Sequence, residues 1–201
     1  MFEFLKRKIA PRIPPEEQLR VLDECGIRLA DGISTDLLMA SISREASMKQ
    51  PFVQLLCVMG EQTDAKNLQS SRFFSNNIWH LDTECIYGNG DYVYIMQRMS
   101  ELAGGSLPLT EIKDYIDMEE GRAWVSFSFR TEQYKWQLKI DDDWIDWQIF
   151  TNLVHLLDSQ TPYKRFTCID IQGQDILIGV STIDEMESLK AKTGLKVDWL
   201  S

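Results

Sequence analysis

Hydrophobic and polar residues alternate most regularly in the middle of the chain. Three consecutive segments show this period of two: EIKDYIDM, RAWVSFSFR and YKWQLKI. In the second segment Val125, Phe127 and Phe129 share one face, while the other face is polar. Because successive side chains of a strand point to opposite faces, the pattern predicts a three-stranded antiparallel meander with one face in the core and one in water.

Spacings of three and four residues between hydrophobic positions predict helices in much of the remaining chain. We predict them in five segments: PPEEQLRVLDECG, STDLLMASISREASMKQ, GNGDYVYIMQRMSELAGG, the stretch from about Trp144 to Asp158, and a last helix beginning at STIDE. In the last helix Thr182 and Glu185 have the spacing of a capping box, and Gly194 suits the exit. The run PFVQLLCVMG is buried, but its pattern does not distinguish strand from helix.

Further strands complete the predicted fold. NIWHLDTECIY alternates as a strand does, and YKRFTCIDI and QDILIGV form a hairpin around Gly173. Helices come first and a largely antiparallel sheet with interleaved helices follows, which is typical of the α+β class. We therefore predict a single α+β domain over residues 1–201. The pattern also allows a helical N-terminal subdomain over residues 1–60, joined by a polar loop at residues 61–76.

The charge of the chain narrows the class of partner. The net charge is -10 at pH 7. Residues 1–12 hold four basic groups and one acidic group, so the rest of the chain holds 17 basic and 30 acidic groups. Such a body repels nucleic-acid phosphates and anionic membranes and attracts basic proteins, so a basic protein partner is favoured over nucleic acid. Solubility alone also accounts for a net charge of this size.

The cysteines and the N-terminus predict the compartment. Cys25, Cys57, Cys85 and Cys168 lie among apolar neighbours without a C-x-x-C spacing, which favours neither disulfides nor a zinc site. The start, MFEFLKRKIAPRIPP, lacks the apolar region of a secretory signal, and no apolar run is long enough to span a membrane. We expect a cytoplasmic protein without a membrane span.

The stretch DDDWID, residues 141–146, carries the first candidate site. Asp143 before a helix would be its N-cap, with Asp146 at the third helical position. Capping does not explain Asp141 and Asp142, and Trp144 falls outside the hydrophobic arc of the predicted helix. A tryptophan beside spare carboxylates has the composition of a binding hot spot. We predict a partner-binding surface at Asp141, Asp142, Trp144 and Asp146; in the alternative, Trp144 packs onto a neighbouring strand or loop.

The stretch WHLDTEC carries the second candidate site. On a strand His80, Asp82 and Glu84 share one face, and a His-x-Asp pair can chelate one metal ion. Glu84 would lie about 13 Å from His80 along the strand. A metal site at these three residues therefore needs further ligands from elsewhere. A solvated polar face explains the same pattern without metal.

Other catalytic signatures are missing from the sequence. It contains no G-x-S-x-G, P-loop or G-x-G-x-x-G motif. GNGD, residues 88–91, lies at a strand-to-helix turn where backbone N–H groups bind anions, but Asp91 would cap the helix and repel an anion. We predict no cofactor.

Four segments carry a resemblance to known proteins: NIWHLDTECIYGNGDYV, GGSLPLTEI, DDDWID and GQDILIGVSTIDEMESLKAKTGL. They resemble an uncharacterised family of bacterial cytoplasmic proteins and are similar in style to the small acidic immunity proteins of bacterial toxin systems. The likeness covers residues 70–201 and supplies no catalytic residues.

Charge, the aspartate stretch and the resemblance favour a non-enzymatic protein-binding module, for example an immunity-type protein that neutralises a basic toxin. A metal-assisted hydrolase using His80, Asp82 and Glu84 is the enzymatic alternative. A structural subunit of a larger complex is a further alternative, which an exposed apolar patch on the N-terminal helices would favour.

Overall fold

The computed structural model describes residues 12–63 and 72–201. Residues 1–11 of the basic N-terminal segment and half of the predicted polar loop at residues 61–76 therefore lie outside the described residues. The described helices are α1 (Pro15–Glu24), α2 (Thr35–Ser41), α3 (Arg44–Lys49), α4 (Val53–Met59), α5 (Asp91–Leu102), α6 (Gln148–Asp158) and α7 (Ile183–Thr193). The described strands are β1 (Ile78–Asp82), β2 (Leu109–Asp117), β3 (Arg122–Phe129), β4 (Glu132–Leu138), β5 (Arg165–Asp170), β6 (Asp175–Ser181) and β7 (Asp198–Trp199).

The strands form two antiparallel sheets. One has the order β1-β6-β5-β7, and the other is the β2-β3-β4 meander. The N-terminal region is helical, and β5 and β6 form the C-terminal hairpin. The α+β class, the meander and the hairpin are thus confirmed.

The four-stranded sheet is covered on both faces. Ile78 and Leu177 pack into a hydrophobic cluster with the N-terminal helices and α7. Their neighbours Trp79 and Ile178 belong to the other cluster, which includes α5, α6 and the meander. This separation follows from the alternation of side chains along each strand.

None of the described helices combines the length and hydrophobicity needed to cross a bilayer.

Three helical segments can be compared in detail with the sequence-based expectation. The run that was compatible with strand or helix is the helix α4. The segment predicted as one helix over residues 34–50 is two helices, because the chain is extended at Ile42 and the Ser43 hydroxyl caps α3 by accepting from the Ala46 N–H. At the other end of the chain, Thr182 and Glu185 form the predicted capping box of α7, which ends at Gly194.

The prediction that α6 begins near Trp144 is wrong, and so is the N-cap role of Asp143. The helix begins at Gln148. Residues 141–144 form a turn closed by a 3.0 Å hydrogen bond from the Trp144 N–H to the Asp141 carbonyl. Asp142 takes a left-handed conformation with φ of 52°. Aspartate tolerates this conformation better than most residues.

Candidate functional site

The turn at residues 141–144 is held against the segment that follows β1. The Ile86 N–H donates to the Asp143 carbonyl at 2.9 Å, and the Ile145 N–H donates to the Thr83 carbonyl at 2.9 Å. Ile86 and Ile145 are both buried in the core. Buried isoleucines and backbone hydrogen bonds therefore fix two loops that are about 60 residues apart in sequence.

This pairing brings together carboxylates from the two loops. We use the name acidic surface for the carboxylates of Asp82, Glu84, Asp141, Asp142 and Asp143 together with the rings of Tyr87 and Trp144. Burial, followed by the charges of Asp143, Asp82 and Asp142, raises the pKa of Glu84 above its ordinary value. Each of these groups therefore makes the ionised form of Glu84 less favourable.

The same field acts on Tyr87, whose side chain is 70% exposed. Partial loss of water around its phenol and the negative charges of Asp143, Asp82 and Glu84 raise the pKa of Tyr87. Its hydroxyl donates to the Glu84 carbonyl at 2.7 Å. Tyr87 is thus an aromatic ring on the acidic surface that the sequence analysis missed.

The carboxylates of the acidic surface have no cationic partner within the described residues. Carboxylates elsewhere do pair with cations, for example Asp23 with Arg28 at 2.9 Å and Asp158 with Arg165 at 3.2 Å. The described ion pairs include none of the five carboxylates of the acidic surface. The negative charge of this surface is therefore not neutralised by a lysine or arginine of the described residues.

Trp144 and Trp147 differ although each is 41% exposed. The Trp147 Nε1–H donates to the Ser201 carbonyl at 3.1 Å, and its ring packs edge-on against Phe150 at 5.0 Å between centroids. Among the described residues, the Trp144 indole has neither a hydrogen bond nor a ring partner. Trp144 therefore keeps a free N–H donor and a half-exposed aromatic face.

Asp146, the fourth predicted partner-binding residue, is engaged with the backbone. Its Oδ2 accepts from the Lys139 N–H at 2.7 Å, and its Oδ1 accepts from the Gln148 N–H at 3.0 Å. The Asp146 N–H in turn donates to the Tyr92 hydroxyl. We assign Asp146 to positioning the start of α6 and leave it out of the acidic surface.

The three predicted metal ligands point to different neighbours. His80 contacts Glu61 and Asp175 through its ring nitrogens. Asp82 accepts from the Glu84 N–H through Oδ1 and from the Gln174 amide through Oδ2. Within residues 12–63 and 72–201 no group of three or more His, Cys, Asp or Glu side chains is arranged to hold a metal ion. The metal site stays a prediction.

The turn before α5, where Asp91 was expected to oppose anion binding, is occupied by carboxylates of the protein itself. Asp114 accepts from the N–H groups of Gly90 and Val93, and Asp91 accepts from those of Tyr87 and Gly88. These contacts supply the negative charge that the start of a helix favours. An external anion would have to displace them.

Two cysteines near the candidate sites are poor nucleophiles. Burial and nearby carboxylates raise the pKa of both Cys57 and Cys85 to about 11. Both are therefore neutral thiols at physiological pH, and the thiolate is the reactive form.

The structural-subunit alternative stays a prediction, and the described N-terminal helices carry several partly buried hydrophobic side chains, such as Leu19 and Leu37. Among the described residues, the large hydrophobic residues with the greatest exposure lie beyond residue 86, and they are Tyr87, Tyr94, Met118, Trp144, Trp147, Tyr163 and Ile183. Two of the seven belong to the acidic surface.

Comparison with protein-family models, curated proteins and solved structures finds no match for the chain.

Proposed function

We propose that the protein is a non-enzymatic binding module that captures a basic protein segment on its acidic surface. The observation that carries this proposal is a group of five unpaired carboxylates around a half-exposed indole without a hydrogen-bond partner. An immunity-type protein that neutralises a basic toxin is the form of this function that the sequence resemblance favours.

The acidic surface has a physical cost that favours a binding role. Burial and, after it, the repulsion from Asp143, Asp82 and Asp142 raise the pKa of Glu84, and both effects destabilise the folded state when Glu84 is ionised at neutral pH. A cationic partner would reduce the repulsion among these carboxylates. That reduction would contribute to the free energy of binding.

Trp144 supplies the anchor in this proposal. Exposed carboxylates speed the encounter with a cationic partner, but exposed ion pairs add little affinity. A tryptophan that becomes enclosed at an interface contributes about 2 kcal/mol or more, which is about thirtyfold in affinity. The free Nε1–H of Trp144 can also donate to a carbonyl of the bound segment.

The test uses a synthetic peptide of alternating arginine and leucine residues. The control is a peptide of equal length in which glutamate replaces every arginine. Isothermal titration calorimetry should show binding of the arginine peptide only. Trp144→Ala should weaken that binding about thirtyfold. Tyr163→Ala is the matched control because Tyr163 is 78% exposed and lies just beyond the other end of α6.

A second pair of variants tests the charges. Glu84→Gln with Asp142→Asn should weaken binding, whereas Asp184→Asn with Glu187→Gln removes the same charge from α7 and should not. Equal affinities for all four variants, or equal binding of the glutamate peptide, would contradict the proposal. Circular dichroism would verify that each variant is folded.

A further inference from the structure

A cleft of about 660 Å³ lies on the helical side of the four-stranded sheet. It is bordered by α4, by the β5–β6 hairpin and by the residues after α7. Its apolar lining includes Val53, Val58, Ile169, Ile171 and Leu195. Its polar end is formed by Glu61, His80 and Asp175. The lining is therefore mixed, with apolar side chains beside convergent polar groups, and such a cleft can hold a small amphipathic molecule.

His80 is held between two carboxylates at the polar end. Its side chain is 19% exposed, its Nδ1 lies 2.9 Å from Glu61 Oε1, and its Nε2 lies 3.1 Å from Asp175 Oδ1. Each ring nitrogen therefore faces one carboxylate oxygen. Glu61 Oε2 and Asp175 Oδ2 accept no hydrogen bond from a described residue. Each carboxylate therefore keeps one acceptor for a ligand.

The arrangement is built by a close contact between α4 and β1. The His80 N–H donates to the Gly60 carbonyl at 3.1 Å. A Cβ on Gly60 would overlap the backbone nitrogen of His80 and lie 2.8 Å from the carbonyl carbon of Trp79. Glycine thus permits the approach that places Glu61 beside His80. A site held by backbone contacts loses little entropy when a ligand binds.

The electrostatics of the cleft favour a cation. Cys57 lines the same cleft, and burial together with the charges of Glu61 and Asp175 raises its pKa to about 11. Burial disfavours a charge of either sign, but the contributions of Glu61 and Asp175 show a negative potential at this end of the cleft, which attracts a cation. Asp170 adds a further carboxylate to the lining, while Lys196 lies 3.5 Å from Asp198.

The geometry points to a binding site for a small organic cation, an amine or guanidine with an apolar body, in this cleft. The cationic group donates to Glu61 and Asp175, and the apolar body packs against Val53 and Leu195. This site uses neither Trp144 nor the carboxylates of the acidic surface. It is therefore a second site, although Asp175 lies opposite Asp82 of the acidic surface in the β1–β6 pairing, and the variants below distinguish the two sites.

Benzylamine is the probe, with benzyl alcohol and benzoate as controls that carry the same ring. In titrations of the full chain followed by ¹H–¹⁵N NMR, benzylamine should give saturable shifts at Cys57, His80 and Asp175. The two controls should not. Binding of benzyl alcohol as tight as that of benzylamine would overturn the inference, as would the absence of saturable shifts.

Variants locate the binding to the two carboxylates. Asp175→Asn and Glu61→Gln each keep the side-chain shape and should weaken benzylamine binding by about tenfold. Glu187→Gln, which removes one exposed charge of α7, should leave it unchanged, and so should Trp144→Ala. Unchanged affinity in both cleft variants, or loss of binding in Trp144→Ala, would contradict a separate cation site.

Discussion

Individual residues around the turn at 141–144 determine the shape and charge of the acidic surface. Trp144 was identified from the sequence because it lies off the hydrophobic arc of the helical pattern that continues into α6. The roles of its neighbours were assigned wrongly, because an aspartate before a helix has the same local signature whether it caps the helix or closes a turn. Here Asp142 adopts φ of 52° and Asp146, not Asp143, contacts the first residue of α6.

Replacing Glu84 by glutamine should raise the midpoint of thermal unfolding at about pH 7. The pKa of Glu84 is raised in the folded state, so the folded protein binds this proton more tightly than the unfolded chain does. Protonated Glu84 therefore stabilises the folded state at low pH. This stabilisation is lost as the pH rises from the ordinary pKa of a glutamate through the raised pKa of Glu84. Glutamine cannot ionise and avoids this loss.

Thermal melts of Glu84→Gln and wild type, followed by circular dichroism at about pH 7 and about pH 3, test whether the stabilisation depends on pH in this direction. The gain should disappear at the lower pH, where Glu84 is protonated in both states. Glu187→Gln is the control, since Glu187 lies 3.3 Å from Lys190 and its removal should give no gain. A gain that persists unchanged at about pH 3 would show that charge repulsion is not its cause.

At the scale of secondary-structure elements, local signals predicted the fold well. The meander, the β5–β6 hairpin and the capped α7 all follow from short-range patterns of side-chain alternation, turn residues and caps. The contact between α4 and β1 was not predictable, because nothing in the run PFVQLLCVMG indicates what its terminal glycine touches. Gly60 has ordinary helical backbone angles, so its importance lies in packing and not in conformational freedom.

Gly60→Ala should therefore destabilise the protein. The added Cβ overlaps the backbone of β1, which cannot yield as a flexible side chain would, so α4 and β1 must separate. Overpacking of this kind costs about 1–3 kcal/mol, measured as the free energy of unfolding in urea. Gly88→Ala is the control because a Cβ there meets nothing within 4 Å. Equal stabilities of the two variants would refute the role assigned to Gly60.

At the scale of the whole molecule, the candidate sites depend on contacts between distant parts of the chain. His80 meets Glu61 and Asp175 over sequence separations of 19 and 95 residues. Arg98 is 1% exposed on the apolar stripe of α5, and its guanidinium donates to the carbonyls of Ser75 and Ile78. The sequence singles out Trp144 and His80, but single-sequence patterns carry no information on such pairings, so the partners that complete each site could not be predicted.

Salt should weaken the binding of the arginine–leucine peptide. The net charge of -10 attracts the peptide over distances of about a Debye length, which shrinks from about 10 Å at 0.1 M to about 3 Å at 1 M salt. We expect the association rate measured by stopped flow to fall about tenfold between these conditions. The Glu84→Gln, Asp142→Asn variant should show a shallower dependence than Asp184→Asn, Glu187→Gln. Identical slopes would mean that overall charge, and not the acidic surface, guides the encounter.

The most direct test of the binding surface follows the indole N–H signals of the six tryptophans by ¹H–¹⁵N NMR while the arginine–leucine peptide is added. Trp144→Phe assigns the signal of Trp144 by its disappearance. If the acidic surface captures the peptide, the Trp144 indole shifts most and the signal of Trp147, already bonded to Ser201, shifts less. A Trp144 signal that stays in place while the peptide binds would contradict the account.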